Sequence, residues 1–147
     1  DSYYNRGIIY HQLGRYQLAV QDFTENIRLQ PDNALAYFNR GNAYINLGLH
    51  QQAIDDFSKA ILLKPDNADV YNNRGFVYLS QGRHQEAIGD YSRAISLKPD
   101  YADAYNNRAF VYLNQGDMVS GCRDAKKACE LGSCATLRAA ASNGTCR

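Results

Sequence analysis

Arg6, Arg40, Arg74 and Arg108 recur every 34 residues, and a stripe of guanidinium groups at fixed spacing could hold an anion. Asp22, Asp56, Asp90 and Asp124 keep the same period and offer a competing use for that charge. An arginine–aspartate pair in every unit would occupy both groups and would fix register more than it adds net stability. Structural ion pairs are therefore the expected role. Asn5, Asn39, Asn73 and Asn107 each precede one of these arginines. A side-chain amide carries a donor and an acceptor, so it can pair with a peptide group or with a neighbouring helix. Of the three histidines, His50 and His84 stand one full period apart and cannot converge on one metal; solvent-exposed helix ends are expected for them and for His11. No phosphate-binding glycine loop, zinc-ligand spacing or nucleophile elbow occurs, and carboxylates are not paired. No catalytic residue, metal or cofactor is expected, and the chain reads as a non-enzyme.

All four cysteines, Cys122, Cys129, Cys134 and Cys146, lie near the end of the sequence. Their spacing is neither a C-x-x-C pair nor a known zinc pattern, which leaves disulfides, free buried thiols or a metal, with disulfides favoured. Cys122 and Cys129 fall two turns apart on one helix face. A last helix folding back antiparallel would bring Cys134 to Cys129 and Cys146 to Cys122. Those two bonds would staple a terminal cap that has little core of its own. Disulfides persist in oxidising compartments, so a periplasmic or secreted location is expected, and a cytoplasmic one if the thiols are free.

The elements that must position these residues follow from the same period. Tyr10, Tyr44, Tyr78 and Tyr112 form one column, and Gly14, Gly48, Gly82 and Gly116 another; Pro31, Pro65 and Pro99 end three units, with Ser133 in the fourth proline position. Such self-similarity is the mark of a repeat array. Each unit carries two runs of apolar residues at helical spacing, the first ended by glycine and the second by proline. Helices are expected near 2–13, 16–29, 35–47, 50–63, 69–81, 84–97, 103–115 and 118–131. A short alanine-rich helix is expected near 134–142, with Ser133 as its N-cap, and Asp66 or Asn67 is expected to cap the helix after Pro65. Gly7, Gly41, Gly75 and Ala109 are expected to face Ala19, Ala53, Ala87 and Gly121 so that each hairpin can close. At 45% hydrophobic and 21% charged residues the chain has a foldable composition. A net charge of +1 gives no reason to expect nucleic acid, and no apolar run is long enough for membrane insertion.

The 34-residue period, the Tyr37–Gly41–Tyr44 spacing and the Ala53–Phe57–Ala60–Pro65 run resemble the tetratricopeptide family over nearly the whole chain. Tyrosine replaces the usual first aromatic, often tryptophan, and arginine replaces the usual leucine before the glycine. Ala125 stands where Phe57 and Tyr91 do, which suggests a terminal, capping fourth unit. The resemblance implies an all-α, right-handed superhelical solenoid of antiparallel helix hairpins. Its units would span about 1–34, 35–68, 69–102 and 103–132, with a capping helix and tail at 133–147, all in one array.

First helices line the concave face of such a superhelix, so the resemblance implies that the asparagine column faces a groove. Helices pack about 8–10 Å apart and an extended chain advances about 3.3 Å per residue, so one asparagine per unit would meet about every third residue of a bound peptide. Phe38, Asn42, Phe76, Leu79 and Phe110 are expected to share the groove, with core packing between hairpins as the alternative for several of them. No lysine occurs before Lys59, so the lysine clamp that reads acidic C-terminal tails in this family is not expected. The expected function is a scaffold that binds an extended peptide segment of another protein. The alternative is a self-association module acting through the N-terminal end, or a piece of a longer superhelix, because Asp1 stands directly before the first repeat.

Overall fold

A computed structural model describes residues 1–147, and it is all helical. In chain order the helices are α1 (Ser2–Gln12), α2 (Tyr16–Leu29), α3 (Ala34–Asn46), α4 (His50–Leu63), α5 (Ala68–Ser80), α6 (His84–Leu97), α7 (Ala102–Asn114), α8 (Met118–Glu130) and α9 (Ala135–Ser142). Every boundary lies within a residue of its expected place. Two compact units result, Asp1–Val77 and Tyr78–Arg147, the division falling inside α5.

Glycine sets the hairpin turns. Gly14, Gly48, Gly82 and Gly116 sit at φ between 70 and 84°, where a side chain would be strained. Beyond each glycine a backbone N–H reaches back to the carbonyl of the tyrosine column, as from Arg15 to Tyr10 and from Leu49 to Tyr44. That bond closes the Schellman motif and satisfies a carbonyl the helix leaves open. Side-chain caps start other helices: Asn33 accepts from the Ala36 N–H, Asn67 from Asp69 and Asp117 from Ser120. At the fourth proline position the chain takes a glycine exit instead. Gly132 adopts φ 103°, and Ser133 N–H donates to the Ala128 carbonyl at 2.8 Å. Ser133 therefore closes α8 and does not cap α9, whose N-cap is Cys134 without a side-chain bond.

In the first unit the core forms around Ala19, Phe23 and Ala43, with Tyr4, Ile8, Tyr10, Tyr16 and Val20 packed on it. The nearest neighbour of each of these glycines is an aromatic ring, which adds to the expected facing of small columns. A Cβ on Gly7 would stand 2.8 Å from the Phe23 ring, and one on Gly41 would stand 2.7 Å from Phe57. Gly7 and Gly41 are thus each the seat of a second-helix phenylalanine ring. The aromatic ring is larger than alanine, so it decides where the two helices approach.

In the second unit the core forms around Ala87, Tyr91 and Val111, with Tyr78, Leu79 and Ile88 packed against it. Here the fourth hairpin changes both partners of the seat at once: Ala109 replaces glycine, Ala125 replaces the ring, and both are fully buried. Gly121 instead makes room for Leu113, 2.6 Å from where its Cβ would stand. The cap α9 buries only Ala140 among its residues. It is tied down by Thr136, whose N–H donates to Asn106 Oδ1 at 3.1 Å, and by two disulfides. These join Cys122 to Cys146 and Cys129 to Cys134, with Cα atoms 5.5 and 4.1 Å apart.

Candidate functional site

The arginine column is occupied from several sides. Arg40 on α3 donates from Nε to Asp56 Oδ2 at 2.7 Å and from Nη2 to Oδ1 at 2.8 Å. Its Nη1 donates to Thr24 Oγ1 on the preceding hairpin at 3.0 Å, and the Thr24 hydroxyl donates to the Val20 carbonyl at 2.7 Å. The guanidinium carbon lies 5.7 Å from the Tyr37 ring and 5.8 Å from the Tyr44 ring. Arg108 repeats the arrangement with Asp124, Ser92, Tyr105 and Tyr112. Arg6 pairs with Asp22 between Tyr3 and Tyr10, and Arg74 donates to Ser58 Oγ at 3.0 Å beside Tyr71. Asp90 is buried in the second unit. Burial works most strongly against the Arg40 charge, but the Asp56 hydrogen bond, the Asp56 charge and the flanking Tyr44 and Tyr37 together outweigh it and hold the guanidinium pKa above its ordinary value. The hydroxyl column Thr24, Ser58, Ser92 escaped the sequence reading. Its 34-residue period, and the tyrosines three before and four after each arginine, carried the signal.

The asparagine column is partly committed to neighbouring helices. Asn39 Nδ2 donates to the Tyr4 hydroxyl at 2.9 Å, and Asn73 Nδ2 donates to Asn42 Oδ1 at 2.8 Å. These bonds fix the orientation of each amide and turn its N–H₂ inward. Asn5 is exposed and Asn107 half-buried. Phe38 lies 6.1 Å from the Phe57 ring, and Leu79 packs against the second unit's core, so both are partly drawn into packing. Phe76 and Phe110 differ: they remain 49% and 47% exposed on α5 and α7. That exposure is large for an aromatic ring and marks them as candidate anchors.

The histidines are not the exposed helix ends expected. His11, His50 and His84 are half-buried, and His11 Nε2, His50 Nδ1 and His84 Nδ1 are buried without a hydrogen-bond partner. Burial lowers the His11 pKa below its ordinary value, more than a bond to the Asn42 backbone raises it. His11 occupies the column of Ile45, Leu79 and Leu113, so it fills an apolar position. No group of three or more His, Cys, Asp or Glu side chains is placed to hold a metal ion. No helix is long and apolar enough to cross a membrane.

The sequence profile described as TPR repeat matches residues 7–48 and 77–116, and profiles described as Tetratricopeptide repeat match residues 34–67 and 57–89. Among solved structures the chain is similar to the crystal structure of MamA, at 30% identity and TM-score 0.85 over 95% of this chain and 79% of that one. It is similar to the Arabidopsis OM64 TPR domain, at 30% identity and TM-score 0.75 over 77% of this chain and 93% of that one. The first TPR of Spaghetti (RPAP3), bound to the HSP90 peptide SRMEEVD, is similar at 25% identity and TM-score 0.77, over 78% of this chain and 91% of that one. No curated protein matches the sequence.

Proposed function

Because the chain belongs to the tetratricopeptide-repeat family, we propose that it is a protein-interaction scaffold that binds an extended peptide segment of a partner on the first-helix faces of its hairpins. The observation that carries this reading is the pair of half-exposed rings, Phe76 in the first unit and Phe110 in the second, standing beside the asparagine column on those faces. In the first unit, Asn39 and Asn73 each donate one N–H to a neighbouring helix, and Asn73 Oδ1 accepts from Asn72 Nδ2 at 3.4 Å. Each amide keeps a second N–H and a carbonyl lone pair with which to meet a peptide group. A peptide-bound relative supports the class of ligand: the RPAP3 domain holds the acidic segment SRMEEVD. The chemistry differs here. Helices α1, α3, α5 and α7 carry no lysine, and the single arginine of α1, α3 and α7 is already bound to an aspartate. The favoured segment is therefore uncharged, with an apolar anchor.

The test uses peptides selected from a random library on the oxidised chain, with affinities measured by titration calorimetry. Phe76→Ala, at a half-exposed position, is expected to weaken binding at least about tenfold while leaving the fold intact. Equal affinity for parent and variant would remove this face as the site. A combined Asn39→Ala, Asn73→Ala and Asn107→Ala variant is a weaker probe, since it also removes bonds between helices.

The two disulfides support an oxidising compartment, periplasmic or secreted, as the working location. Self-association through α1 is the second reading, favoured by Ile9 and Leu13, which are exposed one turn apart near the helix end.

A further inference from the structure

The second unit contains a half-open cavity of about 370 Å³ between α7, the start of α8 and the cap α9. Phe110, Leu113 and Met118 form one side, and Ala139 and Ala140 form the other. That volume lies within the range of ligand pockets, roughly 300–1,000 Å³. No ionisable side chain lines it. A charged occupant would lose its hydration without gaining a counter-charge, which disfavours it. An uncharged apolar group would instead cover Phe110 and Met118, which are otherwise half-exposed.

Two amides stand at the cavity, Asn114 and Asn143. Asn143 Oδ1 is already held by the Thr145 N–H at 3.1 Å and the Thr145 hydroxyl at 2.5 Å, which orients its N–H₂ as a donor. The Asn114 side chain is exposed and offers both a donor and an acceptor. An apolar hole flanked by amides matches an apolar side chain with a peptide group on either side. A second copy of this chain is a poorer fit. Its exposed apolar residues, such as Ile9, Leu62 and Val119, lie on helices whose backbone groups are already bonded.

We propose that this cavity is a specificity pocket for one uncharged apolar side chain, of leucine or phenylalanine size, on an extended segment of a partner protein, with Asn114 and Asn143 pairing the flanking peptide groups. The proposal rests on the interaction-scaffold reading and adds what that partner must carry. Its wall on the α9 side is held by the Cys122–Cys146 and Cys129–Cys134 bonds, so the pocket belongs to the oxidised protein.

The probes are N-acetyl-leucinamide and N-acetyl-phenylalaninamide, with N-acetyl-lysinamide and the blocked aspartate amide as charged counterparts. Each is titrated into the isotope-labelled, oxidised full chain and followed by NMR. The apolar probes are expected to shift the amide signals of Leu113, Met118, Ala139 and Ala140, and the charged ones to leave them unchanged. Ala139→Phe places a ring at an exposed position of the cavity wall and is expected to abolish the shifts with helicity unchanged. Silence from all four probes, equal response to the charged ones, or unaltered shifts in Ala139→Phe would each overturn the proposal. So would movement of the same signals with protein concentration alone, which would make a second copy the occupant. Phe76→Ala reports on the scaffold face and Ala139→Phe on the cavity, so the two readings fail separately.

Discussion

Each arginine that looked like an anion site is held by an aspartate, a hydroxyl or tyrosine rings, and the degree of enclosure varies along the chain. The Arg40 side chain is 16% exposed and that of Arg108 14%, whereas that of Arg6 is 56% exposed. The abundance of tyrosine follows from this node, since two tyrosine columns bracket the guanidinium groups. The pairing was readable because both partners repeat. The burial of His11 was not, because a histidine near a helix end looks the same in sequence whether it faces water or a neighbouring helix. Its lowered pKa has a sign that can be checked. The folded state resists protonation while the unfolded chain takes its proton near the ordinary value of about 6.5. The stability contributed by neutral His11 is therefore full above that pH and is lost as the pH falls toward the folded value. Thermal melts at about pH 7 and about pH 5 should show a larger drop for the parent than for His11→Ile, which installs the residue of the Ile45 position. Equal drops would assign the titration to another group.

At the scale of elements, the hairpin is defined by a ring seated on a glycine. Glycine inside a helix costs about 1 kcal/mol relative to alanine, and three repeats carry that cost at the same place. The reason is steric, since alanine at Gly41 would press into Phe57. Overpacking of this kind costs typically about 1–3 kcal/mol, more than the helix propensity returns. Gly41→Ala should therefore destabilise the parent by about 1–2 kcal/mol, and should be neutral or mildly stabilising in a Phe57→Ala background, where the seat is empty. Urea denaturation of the four chains of that cycle measures the coupling; additive effects would mean that the ring does not set the approach. The fourth hairpin holds alanine at both positions already. Sequence alone showed the missing aromatic there, but the reason it coincides with Ala109 emerges only once the ring is known to sit on that column.

On the scale of the whole molecule, stability is distributed unevenly. The first unit is held by packed rings and paired charges, whereas the end of the second is held by covalent bonds around a helix with one buried residue. The Cys122–Cys146 bond closes a segment with a sequence separation of 24, worth about 3.5 kcal/mol on the loop-entropy account. A dithiol reductant gives up two electrons and two protons per bond, becoming a cyclic disulfide and leaving two protein thiols. After that reduction, hydrogen exchange should accelerate at α9 and the tail while α1–α4 keep their protection. Uniform acceleration along the chain would show that the bonds stabilise more than the cap.

The 34-residue period by itself determined the helices, their turns, the arginine–aspartate pairing and the family. These are consequences of short-range rules: periodicity places residues on one helix face, glycine permits the turn, and a column of opposite charges has one obvious use. Tertiary structure decided what the sequence left open, namely which side chain each glycine receives, which asparagine groups are already bonded, which histidine is dry, and that a cavity lies under the stapled cap. A repeat fixes which residues share a face, but the residue met across an interface depends on the axial offset and side-chain volumes of two packed helices. The Phe23 ring is what stands nearest to Gly7 for that reason. The open space beside Phe110 likewise exists because small residues of α9 face large ones of α7.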